Sequence, residues 1–221
     1  MKHAFWLAAL ALAALALPAR AAELKILEPA DKTLVRGTVT FKVKPEDGPT
    51  DQFLSSPEVV IQDEYGGDIE RLRVARDEKS GVCSTQFDTT QLKDGIYLVA
   101  VKYRTLEKGV KPTEVREDLT LGVRNTSVKP AKFSIEMDRT EFRTEDAADF
   151  TVKVYDSRGR LMPGARVAFK VDKGEVDSDA EITNGLGEAS TSVQTEEPDT
   201  ITLTITVENL PPVTRVLRFV K

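Results

Sequence analysis

Short apolar strings with a period of two recur along almost the whole chain, and this pattern constrains the fold more than any other feature. Val39, Phe41 and Val43 alternate with Thr and Lys. Tyr97, Val99, Val101 and Tyr103 line one face of a later segment, with Ile96, Leu98 and Ala100 on the other. The same alternation returns at Phe150/Val152/Val154, Val167/Phe169/Val171, Ala189/Thr191/Val193 and Ile201/Leu203/Ile205/Val207. Gly, Pro, Asp or Asn bound each string. Period two places alternate side chains on opposite faces of a strand, so each sheet is expected to bury one face and wet the other. Short strands punctuated by turn residues predict an antiparallel sandwich. No segment carries a sustained stripe of period 3.6, so helices are expected to be absent or a single turn long.

The first residues stand outside this pattern. Lys2 and His3 precede an uninterrupted apolar run from Phe5 to Leu17, which Pro18 breaks before Ala19-Arg20-Ala21. That order is the signature of a secretory signal peptide over residues 1–21, cut after Ala21. A bilayer-spanning helix needs about 20 apolar residues, more than this run supplies. Export to the periplasm, the medium or the cell surface is the expectation. No Cys follows the cut for lipid attachment, and Arg218-Phe219-Val220-Lys221 ends in a strand pattern rather than an apolar tail, so no anchor is expected.

Removing residues 1–21 changes the chemical inventory. The single His (His3) and the single Trp (Trp6) both leave. Without imidazole, Ser-His-Asp triads and His-ligated metals are excluded from residues 22–221. The net charge of −5 becomes −7 once Lys2 and Arg20 are subtracted. An acidic chain is a poor match for phosphate backbones, so nucleic acid is not an expected partner. The one cysteine, Cys83, lies in the strand-like Val82-Cys83-Ser84-Thr85 and is expected to be a buried small hydrophobe rather than half of an intermolecular disulfide.

A break falls at Asn125-Thr126-Ser127-Val128-Lys129-Pro130. It predicts a sandwich over residues 22–124, a partly stiff linker over 125–130 and a second sandwich over 131–221, roughly end to end. Asn125-Thr126-Ser127 also fits a glycosylation acceptor, a triplet too common by chance to carry weight.

The most informative turn lies in the second block. Asp156 can bond the N–H groups ahead of it in an Asx-turn, and Gly159 can take the positive φ that closes it. Pro163-Gly164 then makes a tight turn, and Val167 and Phe169 return to the core. Thr183-Asn184-Gly185-Leu186-Gly187-Glu188-Ala189 repeats the logic. At Asp156, Gly159, Pro163, Gly164, Val167, Phe169, Thr183, Gly187 and Ala189 the chain resembles the bacterial Ig-like group 1 domains (Big-1) of intimin- and invasin-type adhesins. The resemblance covers residues 131–221 and departs from the family pattern at Asn184, where Asp is usual, and at Leu161, where Pro is common. It implies an Ig-like fold and a spacer or binding module. Residues 24–124 more loosely resemble the Ig-like modules of bacterial surface proteins and glycoside hydrolases. The residues that carry this are Pro29-Ala30-Asp31, Val35-x-Gly37-x-Val39, Phe87-Asp88-Thr89-Thr90 and Leu92-x-Asp94-Gly95-x-Tyr97. Tyr97 is placed there to bond backbone, as in a tyrosine corner.

Sites with chemistry are few. Asp172, Glu175, Asp177, Asp179 and Glu181 could offer oxygens to Ca²⁺, but Lys170 and Lys173 stand among them and the spacing fits no EF-hand, so a solvated hairpin face is the plainer expectation. No pair of acids is marked for glycoside hydrolysis. Tyr65, in Asp63-Glu64-Tyr65-Gly66-Gly67, is a candidate exposed aromatic for a glycan, with packing against its hairpin the commoner outcome for such a residue. No catalytic residue and no cofactor are expected. The resulting expectation is an exported, non-enzymatic structural or interaction module for a protein or glycan partner in the cell envelope, with adhesion as its setting and an exposed edge strand as one means of binding. Two alternatives stay open: a periplasmic pilus-type chaperone, in which Arg104 or Arg124 would hold a carboxylate between the sandwiches, and an accessory module of a glycan-active enzyme.

Overall fold

A computed structural model describes residues 23–46, 57–105 and 112–221; the expected signal peptide, with His3 and Trp6, lies outside the described residues. The strands are β1 (Glu23–Glu28), β2 (Thr33–Val35), β3 (Thr38–Glu46), β4 (Glu58–Gln62), β5 (Asp68–Arg73), β6 (Ala75–Arg76), β7 (Cys83–Asp88), β8 (Gly95–Thr105) and β9 (Thr113–Val123), followed by β10 (Lys132–Glu136), β11 (Glu141–Arg143), β12 (Ala148–Tyr155), β13 (Arg166–Val171), β14 (Glu175–Val176), β15 (Ala180–Ile182), β16 (Glu188–Gln194), β17 (Thr200–Val207) and β18 (Val213–Val220). Among the described residues the only helical element is a 3-10 turn at Thr89–Gln91, started by the Asp88 carboxylate accepting the Thr90 N–H.

These strands build two tandem Ig-like sandwiches. The first packs the sheet β1-β3-β7-β6 against β2-β9-β8-β4-β5; the second packs β10-β12-β16-β14 against β11-β18-β17-β13-β15. Neighbours pair antiparallel except at one corner of each sandwich, where β2 runs parallel to β9 and β11 parallel to β18. The sandwiches are antiparallel as expected, and these two short parallel pairs are additions at their corners. The short strands β2 and β11 carry only three residues each, too few to produce an alternation in the sequence.

Each sandwich has its own core. Phe41, Val43, Val59, Ile61, Val99, Val101 and Tyr103 pack in the first, with Cys83 buried among them as expected. Phe150, Val152, Val154, Val167, Phe169, Ile201, Leu203 and Phe219 pack in the second, where Phe150 meets Phe169 edge-on and Phe142 stacks on Phe219. The burial pattern of β17 alternates without a break over eight residues, with Ile201, Leu203, Ile205 and Val207 inward. The outer faces are not wet throughout. Val60 and Ala100, cross-strand partners on the outer face of the first sandwich, are fully buried on a face that also carries Arg71, Lys102 and Arg116. Long cationic side chains cover apolar surface with their alkyl stems while the charge stays in water.

Candidate functional site

The site is the junction between the sandwiches, and its smallest building block is a five-residue turn that occurs three times. In Asp63–Gly67, Asp156–Arg160 and Asn184–Glu188 the N–H of the first residue donates to the carbonyl of the fifth, each at 2.9 Å. The fourth residue is always Gly (Gly66, Gly159, Gly187), with φ of 84°, 76° and 67°, a left-handed conformation that costs glycine nothing. The side-chain oxygen of the first residue accepts the N–H groups of the third and fifth: Tyr65 and Gly67 on Asp63, Arg158 and Arg160 on Asp156, Leu186 and Glu188 on Asn184. The Asx-turn expected at Asp156 is therefore present. Asn184 performs the same bonding as the usual Asp, because only one acceptor oxygen is used. The Asp156 carboxyl is held below its ordinary range, first by the Arg160 backbone N–H and then by its guanidinium.

The first and third turns meet across the boundary between the sandwiches, and Asp156 and Arg160 of the second line a concavity with Asp94 and Thr126. Glu64, at the tip of the first, accepts the Gly185 N–H of the third at 3.0 Å. A Cβ on Gly164 would lie 2.6 Å from the carbonyl oxygen of Val123 and one on Gly122 would lie 2.6 Å from Leu34 Cδ2 and 2.9 Å from Ile182 Cγ2. Ile182, at the end of β15, is thus buried against a bare stretch of β9 in the other sandwich. Two ion pairs flank this contact. Arg124, just past β9, grips the Glu208 carboxylate with both terminal nitrogens, and the pair is only 18% and 12% exposed. Lys32 donates to Glu181 at 2.8 Å and to the Ser178 hydroxyl at 2.5 Å. Lys32 and Glu208 are also the only non-glycine residues with positive φ among the described residues, at 55° and 43°. That conformation costs an L-residue about 1–2 kcal/mol, and here it occurs where charge crosses the junction.

The connecting segment is tied down as well. Asn125 donates its side-chain amide to the Thr89 and Leu92 carbonyls at 2.7 and 3.0 Å, so this amide is a structural clamp. Asp94 accepts the Asn125 and Thr126 N–H groups and the Thr126 hydroxyl. Tyr97 donates its hydroxyl to the Lys93 carbonyl at 3.0 Å, the backbone-bonding role expected of it, and burial pushes its phenol up.

Other expected candidates fall in different places. Arg124, weighed as a holder for an incoming carboxylate, is occupied by Glu208. Arg104 lies near the other end of β8 beside Arg71, Arg73 and Lys102, around a concavity of about 660 Å³. Tyr65 does not pack on its hairpin; it is 88% exposed, and its backbone N–H donates to the Asp63 carboxylate. The acids considered for Ca²⁺ do not converge. Asp172 accepts the Thr202 N–H at 2.7 Å, Glu175 lines a separate concavity with Glu145, Asp146 and Glu196, and Glu181 bonds Lys32. Asp177 and Asp179 hold the loop through their backbone, by the Asp177 N–H to Ser192 and the Phe169 N–H to Asp179. Among the described residues no three His, Cys, Asp or Glu side chains are grouped to hold a metal ion, and no helix is long and apolar enough to cross a membrane.

Sequence reasoning did not find Lys32, Gly122, Ile182 or Glu208. Gly122 alone left a signal, since an isolated glycine within the alternating Leu119–Val123 run marks a close approach of another backbone or side chain.

Residues 143–220 match the family model of the bacterial Ig-like domain, group 1. No curated protein matches the chain. Among solved structures, the D0-D1 domain of intimin is 14% identical, covering 90% of this chain and 98% of that one, at a TM-score of 0.38. Invasin, titled a bacterial integrin-binding protein, is 20% identical over 90% of this chain and 39% of its own, at 0.37. The endo-β-1,4-mannanase of Thermotoga petrophila is 17% identical over 48% of this chain, at 0.38, and the chain spans 20% of that enzyme's length.

Proposed function

We propose that this chain is an exported, non-enzymatic module of the bacterial cell envelope that holds two Ig-like sandwiches at one fixed angle and so presents their surfaces to a protein or glycan partner. The observation that supports this reading best is the junction: Ile182 seated on Gly122, with Arg124–Glu208 and Lys32–Glu181 on either side. Hydrogen bonds to charged groups contribute about 1.5–3 kcal/mol each, enough to favour one docked arrangement over a freely hinged pair. Export rests on the segment Lys2–Ala21, and an interaction role on the match to the bacterial Ig-like family over residues 143–220. The domain division proposed is 22–124, 125–130 and 131–221, and no metal is required.

Expression of the full chain in a bacterium, followed by fractionation and N-terminal sequencing, tests this directly. The expected product starts at Ala22 outside the cytoplasm, releases no reducing sugar from peptidoglycan or polysaccharides, and melts at the same temperature in EDTA and in millimolar Ca²⁺. Retention in the cytoplasm overturns the export claim. Sugar release abolished by a single Asp or Glu substitution overturns the non-enzymatic one.

A further inference from the structure

Among the described residues the four sheets have eight edge strands: β1, β6, β10, β14, β11, β15, β2 and β5. Five of these carry only two or three residues, and the pairing of β1 and β5 is broken by register shifts at Leu27 and Ile69. Short strands and bulges protect an edge from pairing with another chain. β10 has neither protection: its five residues stay in register with β12 without a shift. Its free side follows from the bonding of β12. The Val154 N–H donates to the Gly187 carbonyl and the Val154 carbonyl accepts the Met162 N–H, both at 2.9 Å, so Val154 turns its backbone away from β10. Alternation then turns Lys153 and Tyr155 towards β10, and the Tyr155 carbonyl does accept the Ala131 N–H. In the register Lys153 faces Ser134, Tyr155 faces Lys132 and Thr151 faces Glu136. Those three β10 residues therefore spend their backbone groups on β12. Phe133 and Ile135 direct theirs outward, where no strand among the described residues receives them.

The side chains of this edge complement themselves. Lys132, Ser134 and Glu136 share the outer face, and Phe133 and Ile135 share the inner one, packed against the core of the second sandwich. A copy paired antiparallel about Ser134 sets Lys132 opposite the copy's Glu136 and Phe133 opposite the copy's Ile135, and the reverse. Both members of each pair then lie on the same face, as antiparallel pairing demands, and Phe133 and Ile135 exchange the outward hydrogen bonds. The charges stand ready for this. On the outer face Glu188, Lys153 and Glu136 form a row across three strands, with contacts of 3.2 and 2.9 Å, that ends at the free edge in a half-exposed carboxylate. Lys132 holds its ammonium 5.3 Å from the Tyr155 ring centroid and pairs with no carboxylate among the described residues. We propose that β10 is a self-association edge, through which two copies of this chain join their β10-β12-β16-β14 sheets into one. The copy's Lys132 extends the charged row beyond Glu136. Because each first sandwich precedes its own β10, antiparallel pairing carries the two first sandwiches to opposite ends of the dimer. A five-residue edge is small beside the about 1,200–2,000 Å² buried in stable complexes, so the dimer is weak and forms at high local concentration. The pairing requires neither export nor the fixed junction.

Sedimentation velocity of the purified chain at concentrations up to about 1 mM, where weak complexes become populated, tests the pairing. A monomer–dimer equilibrium is expected. Lys132→Glu and Glu136→Lys each set like charges opposite one another, and each is expected to weaken the dimer at least tenfold. An equimolar mixture of these two variants is expected to associate again, because every facing pair is then of opposite sign. Ser134→Cys is expected to give a disulfide-linked dimer with oxidised glutathione, since facing Cα atoms at this kind of position lie about 4.5 Å apart. Thr214→Cys, exposed on β18, is expected to remain unlinked. A chain that stays monomeric throughout overturns the proposal. Self-association that Lys132→Glu leaves unchanged overturns it too, as does a mixture of the two charge variants that associates no better than either alone.

Discussion

The two sandwiches share a strand plan and differ in one step. Both begin with an edge strand on the four-stranded sheet and cross to a short parallel strand (β2, β11). Both end with a long hairpin (β8-β9, β17-β18) beside the strand that follows the first crossing. In the first sandwich β4 turns back at once through Asp63–Gly67 into β5, and only then does the chain cross as β6. In the second, β13 crosses immediately to β14 beside β16, and β15 returns to pair with β13. The hairpin of the first sandwich reaches the junction with Glu64. The crossover of the second instead leaves a concavity lined by Glu145, Asp146, Glu175 and Glu196. Asp94, before β8, clamps the connecting segment, whereas Asp199, before β17, pairs with Lys173 at 2.9 Å. A common scaffold thus carries docking groups in one sandwich and solvated ion pairs at the corresponding steps of the other.

The sharpest way to break this contrast is to remove a docking charge. Arg124→Ala leaves the Glu208 carboxylate nearly buried without its partner, and is expected to lower stability by about 3 kcal/mol in denaturant unfolding. Glu208→Ala combined with it should be less than additive, because each change removes the same pair. Gly122→Val comes next, at about 2 kcal/mol, since the new side chain must displace Leu34 or Ile182 in a packed contact. Asp94→Ala is expected to cost about 1.5 kcal/mol through the lost backbone bonds to Asn125 and Thr126. Asp199→Ala, which removes an exposed pair, should shift the melting midpoint much less. Equal effects of the two aspartates would erase the distinction between clamp and surface.

The smallest expected effect compares two turns within the second sandwich. Asp156 and Asn184 make the same bonds, but only Asp156 titrates. Its folded pKa lies below the ordinary 3.8, so its contribution is present above that value and is lost as pH falls through the lower folded one. Acidification from pH 5 to about 2.5 should lower the amide protection factors, taken against the intrinsic exchange rate at each pH, at Arg158 and Arg160 more than at Leu186 and Glu188. An equal loss of protection at both turns would show that the carboxylate charge contributes nothing.

Much of this was legible in the sequence and the remainder was hidden for identifiable reasons. The strings at Phe150–Val154 and Ile201–Val207 announce their buried faces, because a half-buried strand must alternate. Asp156-x-x-Gly159 announces its turn, because the bonds are local. The segment Thr183–Ala189 announces its turn by the same logic, and the same spacing in Asp63-x-x-Gly66 could have been read in that way too. The ion pairs could not, since Lys32 and Glu181 are 149 positions apart and become neighbours only when two separately cored units dock. The exposure of Tyr65 was hidden too, because a turn aromatic packs or projects according to neighbours that the local sequence does not specify.

Residual dipolar couplings of backbone amides from the full chain, weakly aligned, address the fixed junction most directly. The account predicts that couplings from residues 57–105 and from residues 131–221 fit one alignment tensor with the two sandwiches in the orientation described, and that Gly122→Val separates them into two. Two tensors of different magnitude in the unaltered chain would show sandwiches that move independently, and would contradict it.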